Sequence, residues 1–412
     1  MRLCFALPSL LVLLLAVACG DSESTAGGAG GKGASSSGGG GTGGDGGQGG
    51  APARPDPSGS RATAEMDTGR SHHTATLLEN GHVIVIGGDG FSGAPLDSVE
   101  RFDPETEAWS GLPDLPEPRS NHSTTLLEDG RLLVVGGARS NQNGSPSPED
   151  VLSTAVVYDP TMGVVAEFAL GGPRGGHGAF RLSNGDVLIA GGSSDEVGSD
   201  CTAVPNCQYG KALATVERFD AAAESWVAHP DLAGPRILFG ATLLENGTPL
   251  LVGGASDTAS LTRVEMYDAN AEAFVVVAPL EHARFRPTVV SLGDGRVLAA
   301  AGKIANVGPI GVTELYDASL DMWVEGPEIG ARRTGAAAAT LQSGNALVVG
   351  GFNQETGDVL DELLVFDATE DVWVTLPAMV EPRSLPTATL LQDGRVLIVG
   401  GFGGLSSAEI AE

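Results

Sequence analysis

Basic residues are scarce in this chain. Of its 412 residues, 23 are lysine or arginine and 52 are aspartate or glutamate, so the net charge is −29 at pH 7. Proteins that bind nucleic acid neutralise its phosphates with lysine and arginine. The deficit therefore argues against nucleic acid as a partner, and it predicts an acidic, well-solvated surface.

The apolar run near the N-terminus is too short to cross a bilayer, which requires about 20 residues. It extends from Leu10 to Val17, after one early positive charge at Arg2. The small residues Ala16-Val17-Ala18 follow directly before Cys19. This pattern is typical of an export signal, which we assign to residues 1–18.

Residues 20–59 lack Val, Ile, Leu, Met and aromatic side chains, and 17 of these 40 residues are glycine. Such a segment has nothing to bury that could offset its chain entropy. We expect residues 19–59 to form a flexible tether with a span of about 35 Å. A globular domain is then predicted for residues 60–412.

Only four cysteines are present, and Cys4 and Cys19 belong to the N-terminal segment. Cys201 and Cys207 remain for the globular domain. In an exported chain this close pair predicts a disulfide that closes a small loop and contributes about 2 kcal/mol. A shared metal ion is the competing interpretation, but further cysteines or nearby histidines are missing.

The most abundant signal in the sequence is a repeat. An arginine, ten residues, a glycine, five residues and a diglycine recur seven times, which predicts an array of identical units. The opening arginines are Arg70, Arg119, Arg174, Arg236, Arg284, Arg333 and Arg383. The central glycines are Gly81, Gly130, Gly185, Gly247, Gly295, Gly344 and Gly394, and the pairs run from Gly87-Gly88 to Gly400-Gly401, with Ala301-Gly302 as a variant.

Each repeat begins with a strand, a tight turn and a second strand. In the first copy, residues 74–78 and 82–86 flank Glu79-Asn80-Gly81. An Asn-Gly or Asp-Gly turn favours type I′ geometry, with positive φ at both central residues. The second strand is apolar throughout, so we expect both of its faces to be covered by neighbouring sheets.

A third strand ends in an aromatic residue and an aspartate, and a bulky residue six positions later opens a fourth strand. The third strands end at Phe102-Asp103, Tyr158-Asp159, Phe219-Asp220, Tyr267-Asp268, Tyr316-Asp317 and Phe366-Asp367. The bulky residues are Trp109, Val165, Trp226, Phe274, Trp323 and Trp373. We interpret both sets as residues that fill the space between neighbouring sheets.

The diglycine, the aromatic-Asp pair and the tryptophan resemble kelch repeats. The resemblance covers nearly everything from residue 60 onward and implies a seven-bladed β-propeller, an all-β fold with four antiparallel strands per blade. The seventh copy has only a third strand, Ser406 to Glu412, so we expect Ser60 to Glu65 to complete the last blade. A six-bladed ring with a spare hairpin is the alternative.

The N-terminus is similar to a bacterial lipoprotein signal, in which the cysteine after a lipobox is lipidated. This resemblance implies that Cys19 carries lipid, although Ala16 departs from the usual leucine. Gly20 stands where an aspartate would retain the protein at the inner membrane, which implies an outer-membrane anchor facing either the periplasm or the cell surface. An ordinary cleaved signal is the alternative.

Candidate ligand-binding residues lie on the face that carries the opening arginines and the diglycines. In kelch propellers this face commonly binds ligands, and two long loops emerge from it here. The first spans residues 138–152 and contains Arg139, Asn141, Gln142 and Asn143. The second spans residues 193–213 and contains Asp195, Glu196 and Asp200. Insertions without a ligand are the alternative interpretation of both loops.

Histidine recurs three residues after the opening arginine, at His73, His122 and His177. These residues join the candidate ligand-binding set. A common zinc site would require all three within about 2.1 Å of one ion, whereas equivalent positions on successive blades are spread around the channel. We therefore predict no metal here.

The sequence contains no Ser-His-Asp motif, phosphate-binding loop or DxDxDG calcium loop. A copper-radical sugar oxidase needs two tyrosines, one of them crosslinked to a cysteine. Three of the four tyrosines, Tyr158, Tyr267 and Tyr316, occupy the third-strand position, and Tyr209 lies beside the predicted disulfide. We therefore expect a monomeric scaffold without catalytic residues or cofactor that binds a protein or glycan and contacts membrane only through its lipid. A sugar oxidase or epimerase is the alternative.

Overall fold

A computed structural model describes residues 55–139, 150–194 and 210–412. Across these ranges the regular secondary structure is β-strand, and no α-helix is present. The strands form seven four-stranded antiparallel sheets, and each sheet is one blade. This confirms the predicted all-β, seven-bladed kelch-type propeller.

Seven innermost strands follow the opening arginines, and each pairs with a second strand. The innermost strands are β2 (Thr74–Leu77), β6 (Ser123–Leu126), β10 (Gly178–Arg181), β14 (Gly240–Leu243), β18 (Thr288–Ser291), β24 (Ala337–Thr340) and β30 (Thr387–Leu390). The second strands are β3 (Val83–Ile86), β7 (Leu132–Val135), β11 (Val187–Ala190), β15 (Pro249–Val252), β19 (Val297–Ala300), β25 (Ala346–Val349) and β31 (Val396–Val399). Apolar side chains cover the second strands on both faces, as predicted, and every residue in them is buried.

Third and fourth strands complete the sheets toward the outside of the ring. The third strands are β4 (Val99–Asp103), β8 (Thr154–Asp159), β12 (Val216–Asp220), β16 (Val264–Asp268), β22 (Thr313–Asp317), β28 (Leu363–Asp367) and β32 (Ala408–Ala411). The fourth strands are β5 (Ala108–Leu112), β9 (Gly163–Ala169), β13 (Ser225–His229), β17 (Ala273–Val277), β23 (Met322–Gly326), β29 (Val372–Thr375) and, from the N-terminal side, β1 (Ser60–Ala62). Blades five and six each carry an additional small hairpin. In blade five it pairs β20 (Lys303–Ile304) with β21 (Gly308–Pro309), and in blade six it pairs β26 (Phe352–Asn353) with β27 (Asp358–Val359).

The last blade is closed by the N-terminal strand. Strand β1 pairs with β32, with Ser60 opposite Ala411 and Ala62 opposite Glu409. Arg61 strengthens this joint because its Nε donates to Glu412 at 2.7 Å and its guanidinium also binds Glu107 in blade one. The predicted closure is confirmed, and the six-bladed alternative is wrong.

The hydrophobic core lies between the blades. Seven clusters of buried side chains each join two neighbouring sheets, one cluster for every pair around the ring. The cluster between blades one and seven contains Val85 and Phe102 of blade one and Leu397 and Ile410 of blade seven. Burial is therefore continuous around the ring, and the described part of the chain leaves no blade with an unpacked face.

Tryptophan side chains connect neighbouring blades through packing and hydrogen bonds. Trp109 packs on Phe102 with ring centroids 5.0 Å apart, and its Nε1 donates to the carbonyl of Ala64 at 2.9 Å. Trp323 and Trp373 donate in the same way to the preceding blade. The predicted packing role of these residues is confirmed.

The turn between the first two strands differs from the predicted type I′. Gly81 has a φ of 86°, but Asn80 keeps a negative φ. The Gly81 amide donates to Leu78, and the Leu78 amide donates to His82. The loop therefore contains three residues, a type I turn followed by a left-handed glycine. All seven repeats share this pattern, so the hairpin was predicted correctly and its turn type was wrong.

Val165 does not fill the tryptophan position of blade two. Tyr158 pairs with Val164, and the register shifts at Tyr158. Asp159 is opposite Gly163, so the turn is one residue shorter than in blade one, where Asp103 is opposite Ala108. Val164 consequently packs between the blades, whereas Val165 is 41% exposed.

Candidate ligand-binding face

The seven opening arginines are buried structural residues. Each Nη1 donates to the carbonyl 17 residues later, which belongs to the first residue of the diglycine pair. In blade one, Arg70 reaches Gly87 at 2.9 Å. These bonds confirm that the arginines and diglycines share one end of the ring. The guanidinium groups are buried and bonded within the protein, so we assign the arginines to stabilising this face.

A glutamate neutralises each arginine. Arg236 Nη2 lies 2.5 Å from Glu265 Oε1, and neither side chain is exposed. Burial lowers the pKa of Arg236 to about 10, although the charge of Glu265 opposes that shift. The second oxygen of Glu265 accepts the amide of Ala233, so the pair also fixes the loop that precedes the arginine.

Five blades supply this glutamate from the same place, two residues before the third-strand aromatic position. These are Glu100, Glu217, Glu265, Glu314 and Glu409. Blades two and six have apolar residues there, and Glu117 and Glu362 bind the arginine from adjoining loops. The pairing was not predicted from the sequence, although glutamate recurs two residues before the third-strand aromatic residue in four blades.

The three repeated histidines lie inside the ring wall. His73, His122 and His177 are at most 4% exposed. Each Nε2 contacts a hydroxyl at the start of the preceding innermost strand: His73 to Thr387 at 3.0 Å, His122 to Thr74 at 3.1 Å and His177 to Ser123 at 2.7 Å. Burial lowers the pKa of all three, to about 3 for His122. The structure thus gives them a role in joining neighbouring blades, and their side chains do not reach the open face.

A second ring of residues surrounds the central channel, two positions after each arginine. All seven members have left-handed backbone, with φ between 52° and 68°. In four of the seven adjacent pairs the two members are hydrogen-bonded directly, as in the 3.1 Å bond from the Asn121 amide to the His72 carbonyl. We call this set the mouth ring, and it consists of His72, Asn121, Gly176, Leu238, Arg286, Gly335 and Leu385.

The two glycines of the mouth ring differ in the space beside them. A Cβ built on Gly176 would have no atom within 4 Å, so this position opens onto free space. A Cβ on Gly335 would lie 2.5 Å from Cδ2 of Leu385, because the neighbouring side chain leans over the glycine. Left-handed backbone is strained for residues other than glycine, and such strain concentrates at functional sites.

An outer circle of residues surrounds the mouth ring. It is formed by the residue after each diglycine, which bridges to the residue after the arginine, as Asp89 does to Ser71 and Lys303 to Phe285. The members of this outer circle are Asp89, Ala138, Ser193, Ala255, Lys303, Phe352 and Phe402. Of the predicted loop residues, exposed Arg139 lies next to this circle and its amide donates to the Asp150 carbonyl at 2.8 Å.

The mouth has two polar sectors of different character. In blade one, His72 Nδ1 lies 2.8 Å from Asp89 Oδ2, and both side chains are 4% exposed. In blade five, Arg286 and Lys303 are partly buried. Burial, together with the charge of Arg286, lowers the pKa of Lys303. One side of the mouth therefore offers hydrogen-bond acceptors and the opposite side offers cations.

The described tyrosines lie away from the mouth. Tyr158 donates to the Pro113 carbonyl at 2.8 Å, Tyr316 donates to Asp321 at 2.9 Å, and Tyr267 packs edge-on against Phe274. All three are on third strands, as expected. Within residues 55–139, 150–194 and 210–412, no tyrosine is placed where a copper-radical site could form around the channel.

One group of potential metal ligands occurs in the described ranges. Side-chain atoms of Glu281, His282 and Glu325 lie within 4.8 Å of one another. Both glutamates are exposed. Exposed acidic groups commonly cluster without an ion, so these residues do not revise the expected absence of a metal.

Several predicted residues lie outside the described residues. These are Cys19, Cys201 and Cys207, together with Asn141, Gln142, Asn143, Asp195, Glu196 and Asp200. The lipidation, the disulfide and the role of the two long loops therefore stay predictions. In the described part of the chain, no helix has the length and apolarity that a membrane span requires.

The kelch motif is also found by comparison with protein families. Its sequence model matches residues 70–116, which include nearly all of blade one. The chain contains a kelch motif and folds as a kelch-type β-propeller. Beta-scruin and alpha-scruin of Limulus polyphemus are each 36% identical to this propeller over 58 residues, which is 14% of the chain but only 6% of either relative.

Solved structures share the architecture of this kelch propeller at low identity. The structure of YjhT has a TM-score of 0.57 at 16% identity and covers 76% of this chain and 99% of its own. A fungal alcohol oxidase of the AA5 family, in complex with copper, has a TM-score of 0.62 at 15% identity and covers 85% of this chain and 75% of its own. At these identities the likeness concerns the fold alone.

Proposed function

We propose that this kelch propeller is an exported binding protein that recognises a protein or glycan at the mouth ring and the loops around it. Lipidation of Cys19 would tether it to the outer membrane, with residues 20–59 as the spacer. The proposal assigns no catalytic step to the propeller. Its acidic charge leaves nucleic acid outside the range of partners.

The observation that carries the proposal is the contrast between adjacent positions of the repeat. Arginine is present in all seven blades, because its buried bonds are the same in each. Two residues later the side chain differs from blade to blade, although the left-handed backbone is retained: His, Asn, Gly, Leu, Arg, Gly and Leu occur in order. A uniform backbone frame with varied side chains, strained at its non-glycine members, suits recognition of one asymmetric ligand.

A carbohydrate-active enzyme is the second candidate. The His72–Asp89 pair favours it, since a histidine held by a carboxylate can act as a general base. The copper-bound fungal alcohol oxidase has a related fold. Against an oxidase of that kind, the described tyrosines are used in packing between blades.

Binding is tested with the purified full-length protein on arrays of glycans and of exported proteins. We expect a ligand whose binding is weakened by Arg286→Ala. Arg332→Ala is the control, because Arg332 is a half-exposed arginine whose guanidinium pairs with Glu355 outside the mouth ring. If both variants bind as the wild type does, the ligand does not contact the blade-five sector of the mouth ring, and a wild type that binds nothing on either array contradicts the proposal. Turnover of an array sugar by the wild type would favour the enzyme.

The tether is tested separately by cell fractionation and metabolic labelling with an alkyne fatty acid. We expect the wild type to be labelled and to fractionate with outer membrane. Cys19→Ala should be unlabelled. Label that persists in Cys19→Ala, or a wild type without label, contradicts the anchor but leaves the binding proposal unaffected.

A further inference from the structure

We propose that His72 and Asn121 form a hydrogen-bond-accepting subsite of the mouth ring that binds the hydroxyl groups of a neutral sugar. The inference rests on the proposed binding function and narrows it to one ligand class and two side chains. Four observations support it, and each concerns described residues of blades one to three and the loop of blade seven.

The first observation is the orientation of the His72 ring. Its Nδ1 lies 2.8 Å from the Asp89 carboxylate, which only accepts hydrogen bonds when ionised. Nδ1 therefore carries the proton, and in the neutral ring Nε2 presents a lone pair. Nε2 is buried and has no hydrogen-bond partner among the described residues. The Asp89 carboxylate thus fixes His72 Nε2 as a hydrogen-bond acceptor, and no described residue donates to this atom.

The second observation is a matching acceptor in the next blade. The Asn121 amide nitrogen of the backbone donates to His72 O, so the two residues are neighbours in the mouth ring. Asn121 Nδ2 donates to Ser120 Oγ at 3.4 Å, whereas Oδ1 is buried without a partner in the described chain. An unpaired buried acceptor costs free energy, so we expect His72 Nε2 and Asn121 Oδ1 to accept hydrogen bonds from a molecule outside the protein.

The third observation is the space beside this pair. Gly176 is the next member of the mouth ring, and its amide donates to Asn121 O at 2.8 Å. A Cβ on Gly176 would meet nothing within 4 Å. The glycine, which is hydrogen-bonded to Asn121, therefore leaves open space in this part of the mouth ring for part of a ligand.

The fourth observation is an exposed aromatic ring on the same face. Phe91 is 89% exposed and lies two residues after Asp89. Its backbone is fixed against blade seven, because a Cβ on Gly404 would lie 2.4 Å from the Phe91 nitrogen. Binding sites for small molecules combine apolar and aromatic surface with a few placed polar groups. A sugar matches both, since its C–H face is apolar and its hydroxyls donate.

The charge of the subsite selects a neutral ligand. Asp89 supplies a carboxylate beside His72, and both unpaired atoms are acceptors. Anionic groups would be repelled here, and the cationic sector at Arg286 and Lys303 belongs to blade five. A metal ion would find only two partnerless ligand atoms in this pair, fewer than zinc requires.

The test begins with an array of neutral oligosaccharides and continues with calorimetry on the strongest binder and its monodeoxy analogues. Glycine tolerates the left-handed backbone, so His72→Gly and Asn121→Gly remove the acceptors without adding strain. Asn121→Asp keeps an oxygen at the Oδ1 position, but it replaces the Nδ2 donor with a second acceptor oxygen and adds a negative charge. Asn80→Gly, on the opposite face, is the control.

We expect His72→Gly and Asn121→Gly each to weaken sugar binding at least tenfold, while Asn121→Asp and Asn80→Gly stay within about threefold of wild type. One deoxy analogue should bind the wild type at least tenfold more weakly than the parent sugar does. The same analogue should bind His72→Gly as tightly as the parent sugar binds that variant. Circular dichroism and thermal melting verify folding. If His72→Gly does not fold, the comparison of Asn121→Gly with Asn121→Asp decides.

Three results would overturn the subsite. Unchanged affinity in both glycine variants means that ordered water alone occupies the two acceptors. Equal loss in Asn121→Gly and Asn121→Asp means that the oxygen is not the group recognised. Absence of neutral-sugar binding by the wild type rejects the ligand class, while the broader proposed function fails only if protein ligands are absent as well.

Discussion

Glu265 and Arg236 form a fully buried ion pair, with 2.5 Å between Oε1 and Nη2. The arginine also reaches the Gly253 carbonyl at the diglycine, and the glutamate accepts the Ala233 amide from the preceding loop. One pair therefore joins the loop that enters a blade, the end of its second strand and its third strand, on which Glu265 lies. Its repetition explains how backbone near the channel can be held in a strained conformation.

Replacing Glu265 with glutamine should lower the free energy of unfolding by about 3–5 kcal/mol, because Arg236 would stay buried without a counter-charge. Urea denaturation monitored by tryptophan fluorescence measures the loss. The control is Glu79→Gln, an exposed glutamate, which should change stability by less than about 0.5 kcal/mol. Similar stability of the two variants contradicts a structural role for the buried pair.

Acid should destabilise the propeller below pH 6.5 through its buried histidines. His122 has a pKa of about 3 in the folded protein, because burial opposes its charge, and 6.5 when unfolded. Between these values the unfolded chain binds more protons, so stability is complete above pH 6.5 and falls as pH decreases toward 3. His122→Gln should reduce this loss by about 2 kcal/mol between pH 6.5 and 5.

The control for that measurement is His82→Gln, which changes a half-buried histidine near the hairpin turn of blade one. Unfolding is followed by urea titration at several pH values between 7 and 5. An identical pH dependence in wild type and His122→Gln would show that His122 is protonated in the folded state, contrary to its burial.

Glu107 should support the closed ring at neutral pH but not in acid. Hydrogen bonding and charge from Arg61, with a further bond from Arg395, lower the pKa of Glu107 to about 2. Its contribution is therefore complete above the unfolded value of 4.5 and disappears as pH falls toward 2. The melting temperature of Glu107→Gln should be below wild type at pH 7 and converge with it near pH 2.

Exposed Glu105→Gln is the neighbouring control and should melt like wild type throughout. The stabilising effect of Glu107 depends on its two arginine partners, which come from β1 and from the hairpin turn of blade seven. A Glu107→Gln difference that stays constant from pH 7 to pH 3 would contradict an ionic origin.

Deleting residues 60–66 should lower the melting temperature markedly. This change removes β1, exposes the edge of β32 and takes Met66 out of the cluster between blades one and seven. A deletion of equal length in residues 31–37, inside the predicted tether, is the control. An unchanged thermal transition in the first variant would refute closure by the N-terminal strand.

The framework could be predicted because each of its residues recurs. Arginine, the diglycine and the aromatic-Asp pair appear at fixed spacing, and the seven copies reinforce one another. The turn type escaped prediction because Asn80-Gly81 looks like a two-residue loop, whereas the hydrogen bonds place Leu78 and His82 as its ends. Val165 was misplaced because one residue is missing from the turn before it, and the repeat spacing conceals this shift.

The mouth ring could not be found by looking for recurring residues, since its members differ between blades. A weaker signal was present: Gly176, Gly335 and Asn121 are residues that tolerate left-handed backbone, and all lie two positions after an arginine. The repeated histidines suggested ligand contact, but recurrence there reflects contact between equivalent blades. In this protein, repetition marks structure and variation marks the candidate site.

Hydrogen–deuterium exchange with and without the ligand found on the arrays shows which face of the ring binds it, because the method reports on every face at once. Ligand binding should slow exchange in segments 71–73, 120–122 and 285–287, around the mouth. Protection confined to the hairpin turns at 79–82 and 128–131, on the opposite face, would contradict binding at the mouth.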